Sequence, residues 1–194
     1  MRYPADQKAQ SREKLVQGSA SLAKKEGFAG SGVDALARAA GVTSGAFYRH
    51  FEGKADLLAA IVEAELDATR ARFSVIEPRV EEQLFLAVDA YLSLAHVRHP
   101  ESGCMLPSLS VEIARAPVET RTVFERALGE LLALLTDKIG DPSAASALLT
   151  QCVGAVMIAR SLATDAAKRE VLAAARKSAR ALIASALARP HTSV

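Results

Sequence analysis

The chain has 194 residues, half of them hydrophobic, and its formal net charge is only +2. It is therefore not a polycation, and its length allows a sizeable core in one or two domains. Alanine is abundant, tryptophan is absent and aromatic residues make up 5 % of the chain, which favours closely packed helices. No segment alternates polar and apolar residues long enough for a strand, so we predict an all-α fold.

The N-terminal part of the chain predicts a helix, a tight turn and a second helix. An amphipathic segment at 33–40 precedes Gly41, which can adopt the left-handed conformation that ends a helix. Thr43 can cap the next helix by accepting a backbone N–H of its first turn. Phe47 and Phe51, one helical turn apart, are expected to face inward and seal a small domain.

The second helix of this pair combines small, aromatic and basic groups: Ser44, Gly45, Ala46, Tyr48, Arg49 and His50. A short helix of this kind can enter a DNA major groove. Ser44 is the first side chain to reach outward, Gly45 permits close approach of the backbone, and Ala46 can touch a thymine methyl. Arg49 can bind a guanine or hold a phosphate, and the sequence leaves both roles open.

Basic residues are concentrated near this helix pair. Residues 1–60 hold 9 Lys and Arg against 6 Asp and Glu, and the remainder holds 15 against 16. An excess of this size also arises by chance, so it supports DNA binding only weakly. Lys54 begins the next helix, whose N-terminus already favours anions, and we expect it to contact a phosphate.

The remaining chain predicts a succession of helices separated by proline and glycine breaks. They lie at about 54–76, 80–97, 106–114, 118–139, 143–163 and 166–188, with a loop at 99–103. The 54–76 helix begins beside the helix-turn-helix and continues into the C-terminal part, so it is the natural mechanical link between them.

Features of the sequence indicate a cytoplasmic protein without metal or cofactor. The polar N-terminus lacks the apolar core of a signal peptide, and no apolar run reaches about 18 residues, so we expect no membrane span. Cys104 and Cys152 lack the spacing of zinc ligands and are expected to be reduced thiols. A polar helix end explains His96 and His99 better than a metal site does.

The N-terminal motifs resemble those of TetR-family transcriptional regulators. The segment from Leu15 to Gly27 is similar to the family's first helix and its glycine stop, and 33–42 is similar to its second helix and turn. The run from Phe47 to Lys54 is the most specific element. The resemblance implies a DNA-binding domain at 9–69, with its helix-turn-helix at about 32–51. It also implies a ligand-binding and dimerisation domain at 70–194, with about nine helices in all.

The resemblance assigns phosphate contacts to Tyr48 and His50, the alternatives being a core tyrosine and a solvated surface histidine. The family often has a hydroxyl residue before the second helix, which caps that helix and holds a phosphate. Here Gly32 occupies that position, and Ser31 is the nearest substitute. The predicted DNA-binding residues are therefore Ser31, Thr43, Ser44, Gly45, Ala46, Tyr48, Arg49, His50 and Lys54.

The resemblance also implies that the last two helices pair with those of a second subunit, and their many small residues permit close approach. A dimer would contact two half-sites of a palindromic operator. The middle helices are expected to enclose an apolar ligand cavity, although plain core packing is the commoner role for such residues. Its candidate wall residues are Phe73, Phe85, Tyr91, Met105, Leu109, Phe124, Leu128 and Met157, with Tyr91, Ser108, Ser110 and Glu112 as candidate polar anchors.

Cys104 precedes a short helix whose N-terminus would stabilise a thiolate, so it is a candidate sensor of electrophiles or oxidants, the alternative being a buried space-filling thiol. The sequence predicts a dimeric repressor that a small apolar or amphipathic ligand releases from its operator. Alternatives are redox sensing through Cys104, an activator, and a ligand-binding dimer that has lost DNA binding. An enzyme is not expected, because no convergent set of acid, base and nucleophile is present.

Overall fold

The computed structural model describes residues 5–189, which form ten α-helices, one short 3-10 helix and no strand. This confirms the all-α prediction. The helices are α1 (Ala5–Glu26), α2 (Val33–Ala39), α3 (Ser44–Phe47), α4 (Lys54–Ser74), α5 (Glu81–Tyr91), α6 (Leu94–Arg98), α7 (Leu106–Ala114), α8 (Val118–Ile139), α9 (Pro142–Ser161) and α10 (Asp165–Leu187), and the 3-10 helix is Pro100–Ser102.

The predicted helix at 80–97 is divided into α5 and α6. Helix α5 ends at Tyr91, because its C-cap Leu92 leaves the helical conformation with ψ of 41°. Ser93 then starts a new helix, because its hydroxyl accepts the backbone N–H of His96 at 3.1 Å. A serine in the middle of an amphipathic segment is therefore a cap here and not a helix-interior residue.

The chain forms two compact units. One comprises α1 to α3, α4 as far as Leu66, and the segment Pro100–Ala127; the other comprises Asp67–His99 and the chain from Leu128 onward. The segment Pro100–Ala127 packs with the N-terminal helices, so these units differ from the predicted domains 9–69 and 70–194. As functional regions, those domains remain a prediction.

The turn between α2 and α3 follows from its local sequence. Gly41 has a φ of +68°, which favours glycine, and ends α2. The backbone N–H of Val42 then bonds to the carbonyl of Ala37 at 3.0 Å. The Thr43 hydroxyl accepts the N–H of Ala46 at 3.3 Å and caps α3. Both predicted roles are confirmed, and they fix the direction in which α3 leaves the turn.

Close packing holds α1 against the turn. A Cβ at Gly18 of α1 would lie only 2.5 Å from the Cα of Ala40, so this contact needs a glycine. Phe47 is fully buried, and its ring centroid lies 5.8 Å from that of Phe51, which is also buried. The two phenylalanines seal the small domain as predicted.

In the second unit, α9 and α10 pack against each other through small and apolar side chains. Leu148, Cys152 and Val156 of α9 are buried, as are Ala179 and Ile183 of α10. The Asp141 carboxylate caps α9 by accepting the N–H of Ala144 at 2.9 Å, and this bond lowers the pKa of Asp141.

Helix α9 is the one helix within residues 5–189 that is long and apolar enough to cross a membrane by length and composition. The absence of a long continuous apolar run led us to expect no such helix. The most apolar window of α9 nevertheless has a mean hydropathy of 1.5, and 39 % of that window is buried. Core helices of soluble proteins pass the same test, so this is weak evidence for a span.

Candidate nucleic-acid interface

Helix α3 and the residues after it expose a small set of predicted DNA-contacting groups. Tyr48 is 64 % exposed, and Arg49 and Gly45 are exposed as well. The Ser44 hydroxyl donates a hydrogen bond to the Asp34 carboxylate of α2, so it already has a protein partner. The surface therefore offers one aromatic hydroxyl, one guanidinium and an unobstructed stretch of backbone.

Two predicted DNA-binding residues have other roles in the structure. Ala46 is only 6 % exposed, so its methyl group packs inside the domain and is not presented to a thymine. The Ser31 hydroxyl donates to the carbonyl of Gly27 at 2.8 Å and does not cap α2. The N-cap of α2 is Gly32, which has no side-chain hydrogen bond. Both residues contribute to the local fold.

A cluster of positive charge surrounds His50. The Nε2 atom of His50 lies 3.2 Å from the Ser11 hydroxyl of α1. Partial burial lowers the pKa of His50, and the charges of Lys8, Arg49 and Arg12 lower it further. Lys8 and Arg12 are one helical turn apart on α1, and neither is among the residues predicted from the sequence. Their (i, i+4) spacing is the signal that would have placed them on one face.

Lys54 contributes to the fold of the domain as well as to its charge. Its ammonium donates to the carbonyls of Phe28 at 2.9 Å and Ala29 at 3.0 Å, and it lies 4.9 Å from the centroid of the Phe28 ring. An ammonium has three donors, and these two bonds use two of them. The predicted phosphate contact would use the third.

Glu112 of α7 binds the other side of the same loop. Its carboxylate accepts the backbone N–H groups of Phe28 and Ala29, each at 2.8 Å. Both oxygens of Glu112, a predicted polar anchor for a ligand, therefore already accept bonds from backbone. The Ser110 hydroxyl, another predicted anchor, donates to the carbonyl of Leu106 within its own helix at 2.7 Å.

A buried ion pair joins α1 to α4 in the same unit. The Lys24 ammonium lies 2.9 Å from a Glu65 carboxylate oxygen and donates to the carbonyl of Gly103 at 3.1 Å. Lys24 is 7 % exposed. One ammonium group thus links α1, α4 and the segment at Gly103, and no local pattern in the sequence predicts these contacts.

The predicted cavity residues are distributed over both units. Met105 and Leu109 are fully buried in the first unit, to which Phe124 also belongs. Phe73, Phe85, Tyr91 and Leu128 are half-buried in the second unit. Met157, by contrast, is 36 % exposed on α9, beside Ile158 at 57 %. Met157 therefore does not occupy the enclosed position that we expected of a cavity wall residue.

Both cysteines are buried, and neither forms a disulfide. Burial raises the pKa of the Cys152 thiol to about 12, so this thiol is unreactive at neutral pH. Cys104, which is 6 % exposed, follows Gly103, the residue whose carbonyl accepts from Lys24. The side chains of residues 8–189 contain no group of three that would hold a metal ion.

A capped helix-turn-helix beside a cluster of positive charge, in an all-helical chain, defines the class of helix-turn-helix DNA-binding regulators. Residues 15–61 match the family model of bacterial regulatory proteins, tetR family. This segment is therefore a helix-turn-helix DNA-binding domain of the type found in TetR-family transcription regulators. Such regulators are generally non-enzymatic, and dimerisation and ligand response are typical of them.

Solved structures share the fold at low sequence identity. The reduced form of NemR from E. coli is 22 % identical with a TM-score of 0.73, covering 89 % of this chain and 96 % of that one. FadR from Bacillus subtilis, in complex with stearoyl-CoA, is 18 % identical with a TM-score of 0.66, covering 90 % and 98 %. A TetR-family regulator from Cytophaga hutchinsonii is 19 % identical with a TM-score of 0.70, covering 95 % and 98 %. No curated protein matches the sequence.

Proposed function

We propose that the protein is a cytoplasmic, dimeric repressor that binds a palindromic operator and is released from it by a small apolar or amphipathic ligand. The observation that carries the DNA-binding part is the exposed surface after the Thr43 cap, with Tyr48 and Arg49, flanked by Lys8 and Arg12. Positive side chains beside a short exposed helix suit phosphate positioning around a major-groove contact.

In this proposal the contacts divide by chemistry. Tyr48, His50 and the third donor of Lys54 bind phosphate oxygens, and Lys8 and Arg12 add to the same electrostatic field. Arg49 binds either a guanine or a phosphate, while Gly45 lets the backbone approach the groove. Thr43 and Ser44 act at the start of α3, where backbone N–H groups also favour an anion.

Fluorescence anisotropy with DNA flanking the protein's own gene tests this, at two salt concentrations and against unrelated DNA. We expect selective binding that weakens as salt rises, and a roughly ten-fold loss in Tyr48→Ala. Tyr48→Phe separates the hydroxyl from the ring, because it keeps the contact with Phe47. Equal weak binding to both DNAs would favour an operator elsewhere or the alternative of a dimer without DNA function.

We place the dimer interface on α9 and α10. The exposed positions of α9 up to Ser161 carry no charge and are small or apolar: Ser143, Ser146, Ala147, Thr150, Met157 and Ile158. Helix α10 also exposes several alanines. A partner pair of helices would cover these faces in a four-helix bundle, which also gives the two recognition helices their spacing.

Sedimentation velocity tests the interface. Ile158→Glu is expected to turn the dimer into monomer, because a charge would be buried against the partner. Leu86→Glu is the matched control, since Leu86 is 63 % exposed on α5 and lies outside the proposed interface. A dimer that survives Ile158→Glu, or is lost equally in Leu86→Glu, would refute this interface.

For the ligand, the support is the resemblance to regulators that bind effectors, together with half-buried aromatic residues such as Phe85 and Tyr91 in the second unit. Stearoyl-CoA, the molecule bound to Bacillus subtilis FadR, is the first probe. Release of the operator by this probe, absent with free CoA, would identify an acyl-chain effector. Ligand and DNA must oppose each other reciprocally.

A second candidate trigger is Cys104, favoured by its place next to the Lys24-bound carbonyl of Gly103. Modification of a thiol that is 6 % exposed needs new space and would disturb the Lys24–Glu65 pair between α1 and α4. We expect an electrophile such as N-ethylmaleimide to weaken operator binding, with no effect on Cys104→Ser. An equal response of both proteins would exclude this trigger.

A further inference from the structure

In the loop after α1, the backbone of two residues binds a carboxylate through its N–H groups and an ammonium through its carbonyls. The Glu112 carboxylate of α7 accepts the backbone N–H groups of Phe28 and Ala29. The Lys54 ammonium of α4 donates to the carbonyls of the same two residues. All four distances lie between 2.8 and 3.0 Å. Two amino acids thus connect a carboxylate on one helix to an ammonium on another.

We propose that Glu112 is a positioning residue for DNA binding, which places the Lys54 ammonium for its phosphate contact through the backbone of Phe28 and Ala29. This inference rests on the proposed function, because it assigns Lys54 to a phosphate. The peptide group between Phe28 and Ala29 makes both kinds of bond, because the Ala29 N–H donates to the carboxylate and the Phe28 carbonyl accepts from the ammonium. Both bonds polarise this peptide in the same direction, so the carboxylate strengthens the Phe28 carbonyl as an acceptor.

The geometry of the loop makes this linkage stiff. Both carboxylate oxygens are used, which fixes the plane of the carboxylate as well as its position. Gly27, with a φ of +87°, lets the chain turn beneath it, and a Cβ there would lie 3.2 Å from a Glu112 oxygen. A displacement of α7 therefore moves the loop carbonyls that hold Lys54. Helix α7 follows Cys104, so the same linkage would carry a signal from the Cys104 trigger proposed above.

Salt dependence of DNA binding distinguishes positioning from simple stabilisation. Each phosphate contact contributes about 0.9 to the slope of log K against log salt concentration. Glu112→Gln keeps the volume but replaces one acceptor by a donor, and it removes a negative charge. We expect it to weaken binding about five- to ten-fold and to lower the slope by about 0.9, as Lys54→Ala does.

The matched control is Glu119→Gln, which removes the same charge from an exposed position on α8. Charge removal alone strengthens DNA binding, so the control and the proposal have opposite signs. The double variant Glu112→Gln, Lys54→Ala should bind no more weakly than Lys54→Ala, because both changes remove one contact. Gly27→Ala should reproduce the lower slope while keeping the Glu112 charge.

Circular dichroism tests whether each variant is folded. Amide hydrogen exchange at Phe28 and Ala29 reports, without DNA, whether their bonds to Glu112 are formed. An unchanged slope in Glu112→Gln, with effects that multiply in the double variant, overturns the inference while leaving the proposed function intact. The slopes are also measured on unrelated duplex DNA, so the inference is tested without a selective operator. A wild type that binds neither DNA overturns both.

Discussion

Long-range polar contacts occur in both compact units, for example from Arg79 to the carbonyl of Leu187 in the second, but the units differ in the burial of an ion pair and in how their helices pack. In the first unit, polar side chains bind across long sequence separations: Lys24 bonds to Glu65, 41 positions away, and Glu112 binds the backbone of Phe28, 84 positions away. In the second unit, the ion pair of Arg98 with Asp165 is largely exposed, and small residues pack α9 against α10.

This difference matches what each unit has to do. Polar bonds depend steeply on geometry, so they set the position of a helix more narrowly than apolar contacts do. In the proposed function, such bonds lie in the helices that support the DNA-binding surface, α1, α4 and α7. Small side chains with uncovered faces permit close approach, as a partner helix needs. The comparison predicts that breaking a polar link in the first unit costs more than breaking a surface pair.

The largest effect is expected for Lys24→Met. Glu65, whose side chain is 17 % exposed, would keep a charge without its partner. Removing one member of a buried pair costs about 3 kcal/mol or more, which corresponds to a loss of roughly 6–12 °C in melting temperature. Differential scanning calorimetry measures this.

The control for Lys24→Met is Glu63→Met, on α4, the helix that also carries Glu65. The Glu63 side chain is 50 % exposed in its pair with Arg126, and we expect a change below about 1 kcal/mol. The double variant Lys24→Met, Glu65→Met should recover most of the loss, because no charge remains buried. Similar losses in Lys24→Met and Glu63→Met would contradict the contrast between buried and exposed pairs.

The next effect compares two glycines inside helices. Gly18→Ala places a methyl group 2.5 Å from the Cα of Ala40 and is expected to cost about 2 kcal/mol. At Gly129 of α8 nothing lies within 4 Å of a new Cβ, so Gly129→Ala should stabilise by about 0.5–1 kcal/mol. Urea unfolding measures both. A stabilising Gly18→Ala would show that α1 and the turn do not pack this closely.

The fold was predictable from the sequence because its signals are local. Gly41 determines the turn through its backbone conformation and Thr43 through its capping hydroxyl, and proline and glycine breaks locate most later helices. The division at Ser93 was missed, since one residue serves equally well as a polar position and as a cap. Periodicity also cannot show that Pro100–Ala127 packs with the N-terminal helices, because it contains no information on tertiary contacts.

The candidate site was only partly predictable for the same reason. The exposure of Tyr48 and Arg49 follows from their place directly after α3, but the burial of Ala46 depends on the helices packed around it. Glu112 was expected to face a ligand, yet its partners lie 83 and 84 positions earlier in the chain. No local pattern connects such residues.

A smaller effect is expected at the start of α3. Thr43→Ala removes the hydroxyl that accepts from Ala46, at a cost of about 1 kcal/mol, or roughly 2–4 °C in melting temperature. Thr43→Ser retains the acceptor and should stay within about 0.5 kcal/mol of the wild type. DNA affinity should fall in Thr43→Ala, because a frayed α3 must be ordered on binding. A variant that binds as well as the wild type would argue against a role for the cap in binding.

The smallest effect concerns His50, whose lowered pKa makes stability and DNA binding respond to pH in opposite directions. In the free protein the folded state holds fewer protons than the unfolded state, so this histidine contributes stability that is lost as pH falls below about 6.5. Phosphates beside Lys8, Arg12 and Arg49 would offset their repulsion and raise the pKa of His50. Binding then takes up a proton, so affinity should rise about two- to five-fold between pH 8 and pH 6. Anisotropy titrations of the wild type and His50→Gln measure this. If affinity is independent of pH in the wild type while its stability falls, His50 is buried next to positive charge but does not face the DNA.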